Sequence, residues 1–494
     1  MNSPHITSTA RHTAVYGLGD LLGRVVSVVL VPLYARRLTL HDNGILSLAF
    51  AFIGFTAVLY SLGIHPALIR ALSGQKDPAA RERSFSSAVW LLLAGSTLFS
   101  ALIWITAPAL SHPLLGTSAH TPVFRFMAAI LFLDALSEPL FTLCRAAQRA
   151  TLYALVRLVQ HTLQLGLTVT FILGLNRGVI AVFEANLIGS ACALLALLPV
   201  GIKHLRPVFD LKTVRELLAF GIPFVPATLS LLIINLSDRF LVEYFLGLES
   251  LGIYGITYKL GLPMLLMVRA FRTAWAPAVL SIPDPVRDMC ARITTYFCLV
   301  AVFLFLGVSA FSHELIVLVA GSRAPTYLPG QNVIPLVTLA FLLYGLYVIL
   351  TAGIYARGRA RMLPVVVGLG AAINLGANGL LLPRIGLVGA AWSTLIAYGA
   401  MVLVLFFRVR QFYPVAYEYG RLAKISMAGG VVFLTVSNYL QDLTLEGIIA
   451  RAIFLLGYPV ILWGWRVFEP QEWQDLLTVC RSTMRLKNNA SLQQ

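Results

Sequence analysis

"INLSDRFLVEYFLG" (Ile234–Gly247) sets Asp238 and Arg239 side by side, with Asn235 one turn before and Glu243 one turn after. The stretch before it, "FGIPFVPATLSLLI" (Phe220–Ile233), is almost wholly apolar, so a charged pair sits in a segment otherwise fit to enter a bilayer. On a helix, residues four apart are neighbours, so Asn235, Arg239 and Glu243 share a face and Arg239 can pair with Glu243. Asp238 then points roughly 100° away from them. Two readings are open: a charge network that snorkels to the interface, or the wall of a hydrated cavity.

The rest of the chain is equally apolar. Of its 494 residues, 58% are hydrophobic and 12% charged, and the mean hydropathy is +0.83. A soluble protein carries about 25% charged residues. This composition therefore predicts a polytopic, all-α membrane protein. A net charge of +16 is compatible with nucleic-acid binding, but the basic residues punctuate the gaps between apolar runs instead of forming a stripe. No nucleic acid is expected as a partner; membrane lipids are. The five cysteines lie in or beside apolar runs without paired spacing, so neither a disulfide framework nor a metal site is expected. The first apolar run is long enough to stay as a spanning helix instead of being cleaved as a signal peptide.

With about 20 apolar residues per crossing, spans are expected at roughly 13–36, 43–70, 84–110, 121–147, 151–174, 178–201, 217–246, 250–279, 290–312, 331–357, 362–382, 386–410, 421–440 and 446–468. Alternate gaps are basic. "RALSGQKDPAARER", "KHLRPVFDLKTVR" and "ARGRAR" fall on one side, while "SHPLLGTSAH", "LGLES" and "QDLTLEG" fall on the other. The positive-inside rule then places both termini in the cytoplasm. Arg36–Arg37, after the first span, is the exception. No gap exceeds about 20 residues, so no extramembrane domain is expected to host an enzyme.

"LTLHDNGI" (Leu38–Ile45) aligns with "LGLESLGI" (Leu246–Ile253) at an offset of 208, and Gly178 falls on Gly386 and Arg149 on Arg357 at the same offset. That interval carries span 1 onto span 7 and span 6 onto span 12, a parallel repeat. The expected organisation is a cytoplasmic N-terminus (1–12), an N-lobe (13–201), a cytoplasmic linker (202–216), a C-lobe (217–410), two additional helices (411–468) and a cytoplasmic tail (469–494). Two six-helix lobes flanking a central cavity suit alternating access.

Charges inside spans cost about 2.5–3.5 kcal/mol each and mark function by default. Arg24 and Lys259 lie near mid-depth of spans 1 and 8, and Arg269 follows in span 8. Such cations facing one cleft, with Asp20 a turn before Arg24, would attract a phosphate or pyrophosphate; packing is the other reading. Asp134 and Glu138 share a face of span 4 just before Pro139, and Glu184 lies in span 6. These acids are candidates for proton or sodium coupling, or for a neutral acid stabilising a proline kink. Arg145, Arg149, Arg357, Arg359 and Arg361 cluster at cytoplasmic helix ends, where they set topology or capture an anionic head group first.

"VPLYARRLTLHDNGILSLAF", "GIPFVPATLSLLIINLSDRFLVEYFLGLESLGIYGITYKLG" and "LLPRIGLVGAAWSTLIAY" resemble the Wzx-like polysaccharide flippases. These form a branch of the multidrug/oligosaccharidyl-lipid/polysaccharide exporter superfamily. The resemblance implies a bacterial inner-membrane transporter, not an enzyme, that needs no cofactor. Its cargo would be a polyprenyl-pyrophosphate-linked oligosaccharide, flipped from the cytoplasmic to the periplasmic leaflet, with polysaccharide polymerase or assembly proteins as partners. Related lipid II flippases use a first-helix arginine for the pyrophosphate, a role for which Arg24 is placed. The rival readings are a drug or cation antiporter of the same superfamily, which a basic cavity disfavours, and a polytopic sugar polymerase or ligase, which lacks a catalytic loop here.

Overall fold

A helix that is apolar on all sides has no face to offer water and is stable only inside protein or lipid. The computed structural model describes residues 26, 28–75, 77–281, 286–439 and 444–468, and every regular element among them is helical. In chain order these are α1 (Val31–Arg37), α2 (Leu40–Ser61), α3 (Ile64–Gly74), α4 (Pro78–Leu115), α5 (Thr121–Ala146), α6 (Ala150–Leu173) and α7 (Ile180–His204). A linker helix, α8 (Leu211–Gly221), leads into α9 (Phe224–Leu260), α10 (Leu262–Ser281), α11 (Val286–Ala310) and the short α12 (Ser312–Ala320) and α13 (Ala324–Tyr327). The remainder are α14 (Val333–Ala356), α15 (Met362–Ile385), α16 (Leu387–Phe412), α17 (Tyr419–Tyr439) and α18 (Leu445–Gly464). Eleven helices among the described residues are long and apolar enough to cross a membrane. The protein is a multi-pass membrane protein.

α9 is not one rod. Gly247 has φ +81° and ψ 172°, outside helical geometry, and glycine takes this left-handed φ without a Cβ penalty. A straight helix would separate Asp238 from Tyr254 by about 24 Å. Instead the Tyr254 hydroxyl donates to the Asp238 carboxylate. The chain therefore folds back at Gly247, and the two arms are the expected spans 7 and 8, the second continuing past Gly261 into α10. Span 2 differs from expectation. It breaks at Leu62 (φ +46°) and Gly63 (φ +68°), dividing α2 from α3.

α4 packs on α5, and α7 on both α5 and α6; α14, α15 and α16 form a second group. α2 joins the two through a long seam with α9. Small residues make that seam close: a Cβ on Gly44 would lie 2.1 Å from the Leu248 carbonyl oxygen, and one on Gly252 would lie 2.0 Å from that of Leu40. In lipid, where apolar burial between helices has no solvent drive, such backbone approach supplies the packing attraction. Gly178 and Gly386, paired by the 208-residue interval, have φ of +60° and +62°, each just before an element of the repeat.

Candidate functional site

The Asp–Arg pair of α9 is at the centre of a buried network. Asp238 is fully buried and Arg239 nearly so. Arg239 Nη1 meets Asp238 Oδ1 at 2.5 Å and also donates to the Asn235 carbonyl. The second Asp238 oxygen takes the Tyr254 hydroxyl. The guanidinium stands 4.3 Å from the centre of the Tyr258 ring, so charge and π-face compensate it together. Around them, Tyr398 of α16 donates to Asn235 Oδ1 at 3.0 Å, and Ser237 donates to Asn374 Oδ1 of α15 at 3.1 Å. Asn378 donates to Asn374 one turn away.

This corrects the spacing argument. Arg239 pairs with Asp238 and not with Glu243, which is half-buried and has no ion-pair partner among the described residues. Neighbouring residues on one helix pair here because the fold-back brings Tyr254 and Tyr258 against that face, while Glu243 lies near the turn. Arg239 is 9% exposed. Its Nη1 is committed to Asp238 and to the Asn235 carbonyl within α9, while Asn235 and Ser237 carry the network on to α16 and α15.

Lys259 is placed differently. It is half-buried, and its ammonium lies 5.4 Å from the ring centre of Tyr34 on α1. The second arm of α9 thus presents a cation to the first span of the other lobe, with no carboxylate bonded to it among the described residues. Arg269 is half-buried one helix further on. Arg24 and Asp20 lie outside the described residues.

The acidic pair of α5 opens on a cavity of about 360 Å³ within the first lobe, bounded by α2, α3, α4 and α5. Glu138 Oε1 is 3.1 Å from His65 Nδ1, and Oε2 is 3.5 Å from Arg157 Nη2. Arg145 Nη1 lies 3.0 Å from His65 Nε2. A guanidinium only donates, so Nε2 accepts and the imidazole is the neutral Nδ1–H tautomer, its proton turned to Glu138 and Thr142. Arg145 also donates to the Tyr153 hydroxyl at 2.5 Å. A relay Tyr153–Arg145–His65–Glu138–Arg157 therefore ties α3, α5 and α6 together. It neutralises Glu138 and leaves Asp134 facing the cavity with no ion-pair partner within 4 Å among the described residues.

Glu184 is elsewhere, bonded to Arg177 at 2.6 Å, and does not line this cavity. Arg149 is exposed at the start of α6 and Arg357 at the end of α14. Arg145, grouped with them by sequence, turns inward to the relay instead. Sequence reasoning passed over Arg157 and the tyrosines 153, 254, 258 and 398. The detectable signal was aromatic spacing: Tyr254 and Tyr258 share one helix face, as do Tyr153 and Arg157.

With this geometry in view, residues 9–282 match the family described as polysaccharide biosynthesis protein. The chain belongs to that family. The teichuronic acid biosynthesis protein TuaB of Bacillus subtilis is 20% identical over 318 residues, 63% of this chain. The match spans 64% of that relative's length. Among solved structures, the lipid II flippase MurJ in an inward closed conformation is similar with a TM-score of 0.74 at 15% identity, over 92% of this chain and all of that one. An inward-facing multidrug resistance MATE family transporter of the MOP superfamily gives 0.62 at 15% identity, over 81% of this chain and 95% of that one. The chain thus shares the two-lobed helical fold of these solved structures.

Proposed function

We propose that the protein is a flippase that carries a polyprenyl-pyrophosphate-linked oligosaccharide from the cytoplasmic to the outer leaflet of the bacterial inner membrane. The observation that carries the reading is the conjunction of family and fold: a polysaccharide biosynthesis protein built as two helical lobes like MurJ. A diphosphate and a sugar cannot cross hydrocarbon unaided, since each unsatisfied polar group there costs several kcal/mol, of order 2–7. Two lobes that part alternately on either side give the head group a hydrated route while the polyprenyl tail stays in lipid.

In this reading both termini are cytoplasmic, and the edge bearing Gly247, α12 and α13 faces outward. Lys259, whose ammonium meets the Tyr34 ring of the other lobe, is in this reading the cation that takes the diphosphate, with Arg269 and Arg24 as companions. Asp134 is the acid best placed to carry a coupling proton or sodium ion, because Glu138 is already neutralised. Polymerase or assembly proteins would consume the product.

The test is the leaflet in which the lipid-linked oligosaccharide accumulates when the protein is depleted. A membrane-impermeant sugar-modifying enzyme added from outside reads it. Accumulation in a pool closed to that enzyme, and recovery on re-expression, is the expected result. If the glycolipid stays open to the enzyme while polymer fails to form, the flippase reading is wrong.

A further inference from the structure

Arg36 and Arg37 end α1 on the side where the other gaps are nearly free of basic residues, and charge topology gives no reason for them. The structure gives Arg36 a use. Its Nε donates to the Val319 carbonyl at 3.0 Å and its Nη2 to that of Leu318 at 2.6 Å. Both carbonyls belong to the last turn of α12, whose final oxygens have no partner within their own helix. A cation at that end also meets the negative pole of the helix. Gly321, which ends α12 with φ +57°, lies directly beside this contact: a Cβ there would stand 3.4 Å from Arg36 Nε.

The traffic runs both ways. Arg323 donates back to the carbonyl of Leu38, the residue that ends α1. Tyr327, fully buried, donates to the Ala35 carbonyl at 3.3 Å and takes a 3.2 Å bond from Asn43. Residues 35–43 and 318–327 come from opposite lobes and lie some 283 positions apart, yet they exchange five hydrogen bonds. None of these is an ion pair. In each arginine bond the acceptor is a backbone carbonyl, which water replaces at small net cost. A buried ion pair would resist separation far more.

We infer that Arg36 is a positioning residue of the transport cycle: with Arg323, Tyr327 and Asn43 it latches the two lobes together at the outer edge, and the cleft opens outward only when these bonds pass to water. The inference rests on the flippase reading and its orientation. Lys259 and the Asp238 network lie in the arms of α9 that run inward from this edge, so the latch stands between them and the outside.

Ser47 supplies a reporter. It lies one turn deeper than Asn43, and its Oγ occupies the seam against Gly255, where an added Cβ would come within 2.0 Å of it. With the five native cysteines replaced, Ser47→Cys is placed in the chain, and its rate of labelling by a membrane-impermeant thiol reagent is measured on intact cells. Arg36→Ala is expected to speed labelling from outside roughly 5- to 30-fold, the population change that loss of one or two such bonds brings. Arg36→Lys should fall between, and Arg37→Ala, one position on, should leave the rate unchanged. Arg323→Ala and Tyr327→Phe test the same latch should Arg36→Ala not fold. Parental rates in folded Arg36→Ala or in both alternatives, or acceleration only from the cytoplasmic side, overturn the inference. The reagent reads opening without cargo. Faster labelling with a negative leaflet assay sinks the flippase reading alone; unchanged labelling with a positive one sinks the latch alone.

Discussion

Tyr254 donates its hydroxyl proton to Asp238, sixteen positions upstream, across the fold-back at Gly247. The bond closes a loop of chain that begins in one membrane crossing and ends in the next. It also gives a donor to the second oxygen of a carboxylate whose first oxygen is held by Arg239. A charge pair inside an apolar segment is thereby made tolerable by three partners on one hairpin.

Breaking that balance has a definite cost. Asp238→Ala leaves Arg239 buried without a counter-charge and should destabilise the protein by about 3–5 kcal/mol. Tyr254→Phe removes one hydrogen bond and leaves an oxygen unfilled, about 1–3 kcal/mol. Asp238→Leu combined with Arg239→Met removes both charges and should be milder than Asp238→Ala. Thermal unfolding of the purified protein in detergent orders the three; a double substitution worse than Asp238→Ala contradicts the account.

Gly252→Ala tests the α2–α9 seam. The added methyl would lie 2.0 Å from the Leu40 carbonyl oxygen, a backbone atom that cannot rotate away. Overpacking of this kind costs about 1–3 kcal/mol. Gly376→Ala on α15, where nothing lies within 4 Å, is the matched control. The first should lower folded yield and unfolding temperature, while the second should leave both unchanged or raised.

Much of this architecture was legible in the chain, because a bilayer enforces length and apolarity crossing by crossing. The turn at "LGLES" fell between two expected spans, as one of the alternating gaps nearly free of basic residues. What spacing missed was tertiary. Arg239 had a neighbour on its own face in Glu243, and only the fold-back, which brings Tyr254 and Tyr258 to the other side, explains why Asp238 wins. Arg145 looked like a loop cation because it lies near a helix end, yet α3 carries His65 to it. The break at Leu62–Gly63 that starts α3 has a single glycine as its signal, within a run that reads as continuous.

The linker helix α8 should depend on pH through its cap. Asp210 accepts from the Thr213 hydroxyl and from the backbone N–H groups of Lys212 and Thr213, and the Thr213 bond foremost holds its carboxyl below the ordinary value of 3.8. A depressed carboxyl stabilises the fold above its unfolded value and loses that contribution as pH falls through the folded one. Amide protection over residues 211–221 should therefore fall below pH 3.8. Asp210→Asn, still a good cap, should remove the difference between high and low pH. Equal pH dependence in both proteins would rule out Asp210 as its source.

Lys259 and Arg239 should separate function from stability. Lys259→Gln, which removes a cation with no bonded carboxylate among the described residues, should leave folding intact. It should cut flipping about 10- to 100-fold, the worth of a charge-assisted bond to a phosphate. Lys259→Arg should retain most activity, whereas Arg239→Lys should lose folded protein, since one ammonium cannot replace a guanidinium stacked on Tyr258. Complementation of polysaccharide export, normalised to membrane protein level, distinguishes them. Normal export by folded Lys259→Gln would remove Lys259 from the path.

Asp134 and Glu138 share a helix face, but their surroundings assign them different tasks. Glu138 lies between His65 and Arg157, and its charge is spent on the relay that binds α3 to α6. Asp134 faces the cavity of about 360 Å³ beside it. Glu138→Gln should therefore loosen the first lobe, seen as a lower unfolding temperature by the roughly 1–3 kcal/mol of a partner left unsatisfied. Asp134→Asn should leave that temperature unchanged and abolish the response of flipping to an imposed proton or sodium gradient. Reconstituted vesicles with each gradient set separately report which ion is used. If Asp134→Asn still responds to both, coupling does not pass through this cavity, and the acid there serves packing alone.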